Sequence, residues 1–127
     1  MARPAAKELT ERELEVMHVF WDAGQTTVAD VRDQLAAGGR KLAYTTVATL
    51  VRILTEKRFL EQTTSDRPFQ FRPIRTYEEV SRSILGDLVE RVFHGSREQL
   101  LVRLLSERRL NAKERSVLET ILREKKA

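Results

Sequence analysis

The stretch Ala43-Tyr44-Thr45-Thr46-Val47-Ala48-Thr49-Leu50-Val51-Arg52-Ile53-Leu54 decides the fold. Val47, Leu50, Val51 and Leu54 recur at i, i+3, i+4 and i+7, the spacing of one buried helix face. Thr45, Thr49, Arg52 and Glu56 fall on the other side. This spacing predicts a helix from Tyr44 to Arg58. Just beyond it the period changes. Leu60 to Thr64 and Phe69 to Arg72 alternate roughly by two around Ser65-Asp66-Arg67-Pro68, which predicts a β-hairpin closed by Pro73.

Working towards the N-terminus, Thr10-Glu11-Arg12-Glu13 reads as a capping box, because a threonine hydroxyl can accept the N–H three residues on while Glu13 reaches back. Leu14, Val16, Met17, Phe20 and Trp21 give the helix behind it a wide apolar stripe, ended by Ala23-Gly24. Thr26 and Thr27 can cap a second helix carrying Val28, Val31 and Leu35, and Gly38-Gly39 stops it. Three helices and a hairpin in this order describe a winged helix-turn-helix. A DNA major groove admits one helix, and a neighbouring hairpin can reach the flanking phosphates.

Towards the C-terminus the chain returns to the helical period. Val80, Ile84, Leu88 and Val92 mark one helix, ending near His94-Gly95. Ser96 can cap the next, with Leu100, Leu101, Leu104 and Leu105 as its stripe. Asn111 can cap a last one bearing Val117, Leu118, Ile121 and Leu122. Three short amphipathic helices have little room for a core of their own, so their stripes need another surface. A second copy of the chain is the simplest; packing back on the winged half is the alternative. The expected fold is mainly α with a small β-hairpin: a winged helix-turn-helix in residues 1–74 and a helical dimerisation region in 75–127.

Composition narrows the function classes. With no cysteine among 127 residues, disulfides, thiolate zinc sites and cysteine nucleophiles are excluded. Two histidines, His18 and His94, fall short of a zinc ligand set, so no metal or other cofactor is expected. There is no phosphate-binding glycine loop, no HExxH and no nucleophile elbow, so an enzyme is not expected. Apolar runs reach three or four residues, well short of the ~20 of a membrane helix, so membrane insertion is not expected. The opening MARPAAKELTERE turns acidic where a signal peptide needs an apolar core, which points to the cytoplasm.

Charge is distributed unevenly. Residues 1–39 carry 4 basic and 7 acidic side chains, residues 40–73 carry 7 and 3, and residues 74–127 carry 12 and 9. A basic centre that coincides with the helix and hairpin favours duplex DNA as partner. Thr46 and Thr49 are the candidate base-edge contacts, since threonine can donate, accept or touch a thymine methyl. Thr45, Arg40, Lys41, Arg52 and Arg67 are candidates for the backbone. Phe20, Trp21, Phe59, Phe69 and Phe71 read as core beneath the wing in preference to base-stacking groups. A winged helix can also serve as a protein-interaction adaptor without DNA specificity, or as an architectural DNA binder without sequence preference.

The sequence resembles the penicillinase-repressor (BlaI/MecI) family of bacterial regulators over nearly its whole length. Leu9-Thr10-x-x-Glu13-Leu14-Glu15-Val16-Met17 with Phe20-Trp21 is similar to the family's opening helix, and Ala43-Tyr44-Thr45-Thr46-Val47-x-Thr49 to its recognition helix. Phe69-x-Phe71-x-Pro73, Gly95-Ser96 and Leu110-Asn111-x-Lys113-Glu114 resemble the wing end and C-terminal helices. The resemblance implies a homodimeric repressor on a palindromic operator, paired through Leu88, Val92, Leu100, Leu101, Leu104, Leu105, Leu118, Ile121 and Leu122. It also implies a membrane-bound sensor peptidase as partner, whose cleaved Asn-Phe bond in the relatives corresponds to Arg103-Leu104 here, with neither residue retained. Two further departures stand out. The arginine that many members carry one place before Leu54 is Ile53 here, with Arg52 preceding it, and the glycine usual after Lys57 is Arg58.

Overall fold

The computed structural model describes residues 9–126, so much of the segment read for a signal peptide lies outside the described residues. Among those residues the order is α1 (Glu11–Ala23), β1 (Thr26–Thr27), α2 (Val28–Ala37), α3 (Tyr44–Glu56), β2 (Leu60–Gln62), β3 (Gln70–Pro73), α4 (Tyr77–Val92), α5 (Arg97–Glu107) and α6 (Ala112–Lys126). The fold is mainly helical with a small antiparallel sheet, as the sequence predicts.

Local chemistry sets the boundaries. The Thr10 hydroxyl accepts from Glu13 N–H at 3.1 Å, and Glu13 Oε1 accepts from Thr10 N–H at 2.9 Å, which completes the capping box. Thr27 Oγ1 accepts from Asp30 N–H and starts α2. Ser96 starts α5, and Asn111 with Glu114 forms another reciprocal cap before α6. Thr76 and Glu79 do the same for α4, and the hydrogen bond with the Thr76 backbone holds the Glu79 carboxyl below its usual range.

The hairpin is larger than expected in one respect. β3 lies between two partners, in the order β1-β3-β2. Thr26 and Thr27 pair with Phe71 and Gln70, so these two residues form a strand as well as the cap of α2. A two-residue strand has no readable alternation, and its capping chemistry masked it. Pro73 closes the hairpin as its last paired residue, opposite Leu60.

The core comprises Val16, Met17 and Phe20 of α1, Val31 and Leu35 of α2, Val47, Val51 and Leu54 of α3, then Phe59, Leu60, Phe71 and Val80. Phe20, Phe59 and Phe71 are thus core, while Trp21 and Phe69 pack at its margin. Val80 is 1% exposed, so the first unit takes in the start of α4. Trp21 Nε1 donates to the Arg75 carbonyl at 2.9 Å within the same unit. By contacts the chain divides between Leu85 and Gly86.

Helix α3 ends two residues earlier than its apolar period suggested. Arg58 N–H bonds the Thr55 carbonyl and Phe59 N–H bonds the Leu54 carbonyl, the paired closure of a Schellman turn. That turn requires a left-handed residue between helix and strand, and Arg58 supplies it at φ 69°. The same closure ends α2, where Gly39 takes the equivalent place at φ 97°. Arginine at such a position is strained by roughly 1–2 kcal/mol. Arg58→Gly relieves that strain but loosens the unfolded chain, so it should raise stability by up to about 1 kcal/mol. Urea unfolding of the two proteins measures the difference, and a loss would show that the arginine side chain stabilises the turn.

Candidate nucleic-acid interface

Because α3 gives Val47, Val51 and Leu54 to the core, its opposite face is left to solvent. Thr45, Thr49, Arg52 and Glu56 are all exposed there. Thr46 lies about 100° around the helix from Thr45 and is half-buried, so it sits at the margin of this strip. Thr49 Oγ1 donates to the Thr45 carbonyl at 2.9 Å, which commits its proton and leaves the oxygen lone pairs outward. Ala43 caps α3 with no side-chain acceptor, and the first turn carries no acid. The opening N–H groups of this helix therefore present a positive end to an anion.

The basic residues arrive in different states. Arg40 Nη2 bonds Glu15 Oε2 at 2.7 Å, and this hydrogen bond and charge raise the guanidinium further above its usual range. Arg52 pairs with Glu56 one turn on, at 3.1 Å. Lys41 is exposed beside Arg40. Arg67, at the hairpin tip, lies over the Phe69 ring with its guanidinium carbon 5.2 Å from the centroid. No carboxylate among the described residues pairs with it.

Two partners were hidden from sequence reasoning. Glu15 is 25 residues from Arg40, and only the packing of α1 against the loop before α3 brings them together. Tyr44 opens α3 and is 49% exposed, with the Arg32 guanidinium 5.8 Å from its ring centre. The Arg52–Glu56 pair carried a legible signal, the i, i+4 spacing of opposite charges. Between α3 and the wing lies an open cleft of about 710 Å³ that both Arg52 and Arg67 border. Among the described residues no group of three or more His, Cys, Asp or Glu side chains is placed to hold a metal ion.

The second unit, Gly86–Ala127, is different in character. Among the described residues, every buried core residue precedes it. Of fourteen exposed large hydrophobic residues among the described ones, nine fall in it. They include Leu88, Val92, Leu101, Leu104, Leu105, Ile121 and Leu122, while Leu100 and Leu118 are half-buried. The Arg103-Leu104 bond lies within α5, and both side chains are exposed. No helix among the described residues is long and apolar enough to cross a membrane.

Comparison with known proteins gives consistent results. Residues 9–124 match the family model of the penicillinase repressor. The chain is 32% identical over 121 residues to the transcriptional regulator BlaI of Mycobacterium tuberculosis, covering 94% of this chain and 86% of that one. In fold it is similar to hsRosR-SG, whose structure is described as a complex, with a TM-score of 0.55, 15% identity and 96% of each chain covered. It is likewise similar to RosR of H. salinarum, with a TM-score of 0.53, 16% identity and 94% and 96% of the two chains covered.

The Arg40–Glu15 pair generates a prediction. A cation already neutralised by a neighbour releases less counterion on meeting a phosphate. Glu15→Gln frees Arg40, so affinity for any duplex should rise and the log–log salt slope should steepen by about 0.9. Fluorescence anisotropy over a potassium chloride series reads both. An unchanged slope would remove Arg40 from the phosphate contacts.

Proposed function

The chain belongs to the penicillinase-repressor family of transcriptional regulators, and from that premise we propose that it represses as a homodimer bound to a palindromic operator in duplex DNA. The observation that carries this is the coincidence of the family match with an uncapped, acid-free helix N-terminus leading an exposed threonine strip. In this proposal residues 1–74 hold the operator-binding part and 75–127 pair two chains. Helix α3 enters the major groove of each half-site, and two-fold pairing matches two-fold DNA. Thr49 and Thr46 read base edges. Thr45, Arg40, Lys41, Arg52 and Arg67 approach phosphates, with Arg40 and Arg52 exchanging carboxylate partners for them. Repression follows from excluding RNA polymerase from the occupied site.

Pairing through the second unit is supported by its concentration of exposed apolar side chains and its lack of buried ones. The Arg103-Leu104 bond lies in the middle of that surface. A sensor peptidase cutting there would sever the pairing region and spare the winged half. A pocket built for an asparagine amide would reject arginine, so the peptidase would need a matching subsite. Intact repressor recovered from induced cells, read by mass spectrometry, would exclude this route.

Base reading and backbone binding separate by mutation. Thr46→Ala and Thr49→Ala should each lower discrimination between operator and scrambled duplex by roughly 1–3 kcal/mol. Arg67→Ala should weaken both duplexes alike. Competition titration distinguishes these patterns, and unchanged discrimination in both threonine variants would move base reading elsewhere. For the pairing, Leu101→Asp with Leu104→Asp should convert a dimer into a monomer in sedimentation velocity. A parent chain already monomeric at micromolar concentration would refute it.

A further inference from the structure

The cleft between α3 and the wing is not accounted for by DNA binding. Its walls are largely apolar: Tyr44 and Val51 from the helix side, Phe69 and Phe71 from β3 and its approach. A sugar-phosphate backbone gains little from such walls, since its contacts are charged and hydrogen-bonded. Its volume of about 710 Å³ falls within the range of small-molecule sites, which are mostly apolar with a few placed polar groups.

The charged groups at its border define what it would take. Glu56 offsets Arg52, to which it is bonded at 3.1 Å. Among the described residues Arg67 has no such partner, and its guanidinium carbon lies 5.2 Å from the Phe69 ring centre. A guanidinium without a carboxylate partner keeps its planar fork of N–H donors available to grip a carboxylate with two parallel bonds. The border thus has one uncommitted cation above aromatic and aliphatic walls.

We propose that this cleft binds a flat, mainly apolar monocarboxylate, with the ring system against Phe69, Phe71 and Tyr44 and the carboxylate on Arg67, and that occupation displaces DNA. The displacement half rests on the operator function proposed above, because the ligand and the phosphates would compete for Arg67. The binding half rests on the cleft alone.

Calorimetry on the full chain tests the binding half with 2-naphthoate as probe and neutral 2-naphthamide as its isostere. Naphthoate should bind saturably at one site per chain, and the amide at least tenfold more weakly. Arg67→Ala should weaken naphthoate at least tenfold, while Glu56→Gln, which removes the opposing carboxylate, should tighten it. Gln62→Trp places a bulky ring at a lining strand position that tolerates aromatics, and should abolish binding. No saturable heat to millimolar probe, equal binding of the amide, or indifference to Gln62→Trp would each overturn the site. The comparison of the two probes needs no variant and so does not depend on any mutant folding.

Anisotropy with an operator duplex tests the displacement half. Saturating naphthoate should weaken duplex binding by the parent at least tenfold and leave Gln62→Trp unaffected. Bound naphthoate with unaltered duplex affinity would overturn displacement. A chain that binds no duplex in the absence of probe would instead overturn the operator function, and the calorimetric result would still decide the site.

Discussion

Burial of Phe59 is the constraint on which the winged half depends. Its side chain is fully enclosed, its N–H closes the end of α3 on the Leu54 carbonyl, and its own carbonyl accepts from Ile74 as the chain leaves β3. The Arg75 guanidinium lies 5.4 Å from its ring centre. One residue thus fixes where the helix stops, where β2 starts and where the hairpin returns. The left-handed Arg58 beside it follows from the same requirement, because only that turn carries the chain from the helix end into the buried position. The direction of the wing relative to α3 is therefore set from its base and not from its tip.

A second tie works from the other side of the sheet. Thr26 and Thr27 pair with β3 while Thr27 caps α2 and Thr26 Oγ1 donates to Asp30 at 3.1 Å. The start of α2 and the middle of the wing are consequently one hydrogen-bonded piece. Together with the packing of α1 and α2 on α3, this holds the threonine strip and the base of the wing within one packed unit. The open cleft lies where these parts leave a gap between them.

Much of this was legible in the sequence, and the limits have physical reasons. The α3 period, the change to alternation at Leu60 and the caps at Thr10, Thr27, Ser96 and Asn111 all depend on near neighbours, and near neighbours are what a sequence displays. Three alternate acids on α1 show what it conceals. Glu11, Glu13 and Glu15 look alike, yet Glu13 is buried against Thr10 and Lys57 whereas Glu15 reaches Arg40. Both ion pairs join residues far apart in sequence, 44 and 25 positions, so no local spacing announces them. Strand β1 escaped because two residues have no period. The stripes of α5 and α6 were readable as amphipathic, but amphipathicity records only that a face is apolar and is silent about what covers it.

That uncovered apolar face carries a consequence in mass action. The second unit buries no hydrophobic core within one chain, so in the proposed pairing its helices gain their enclosure only by association. Folding of that half and assembly then become one equilibrium, set by the amount of protein present. When chains are scarce relative to their dissociation constant, the competent species varies with the square of total concentration. Operator occupancy would then fall faster than the protein level as growth dilutes it, giving the regulator a threshold that a preformed monomeric binder lacks.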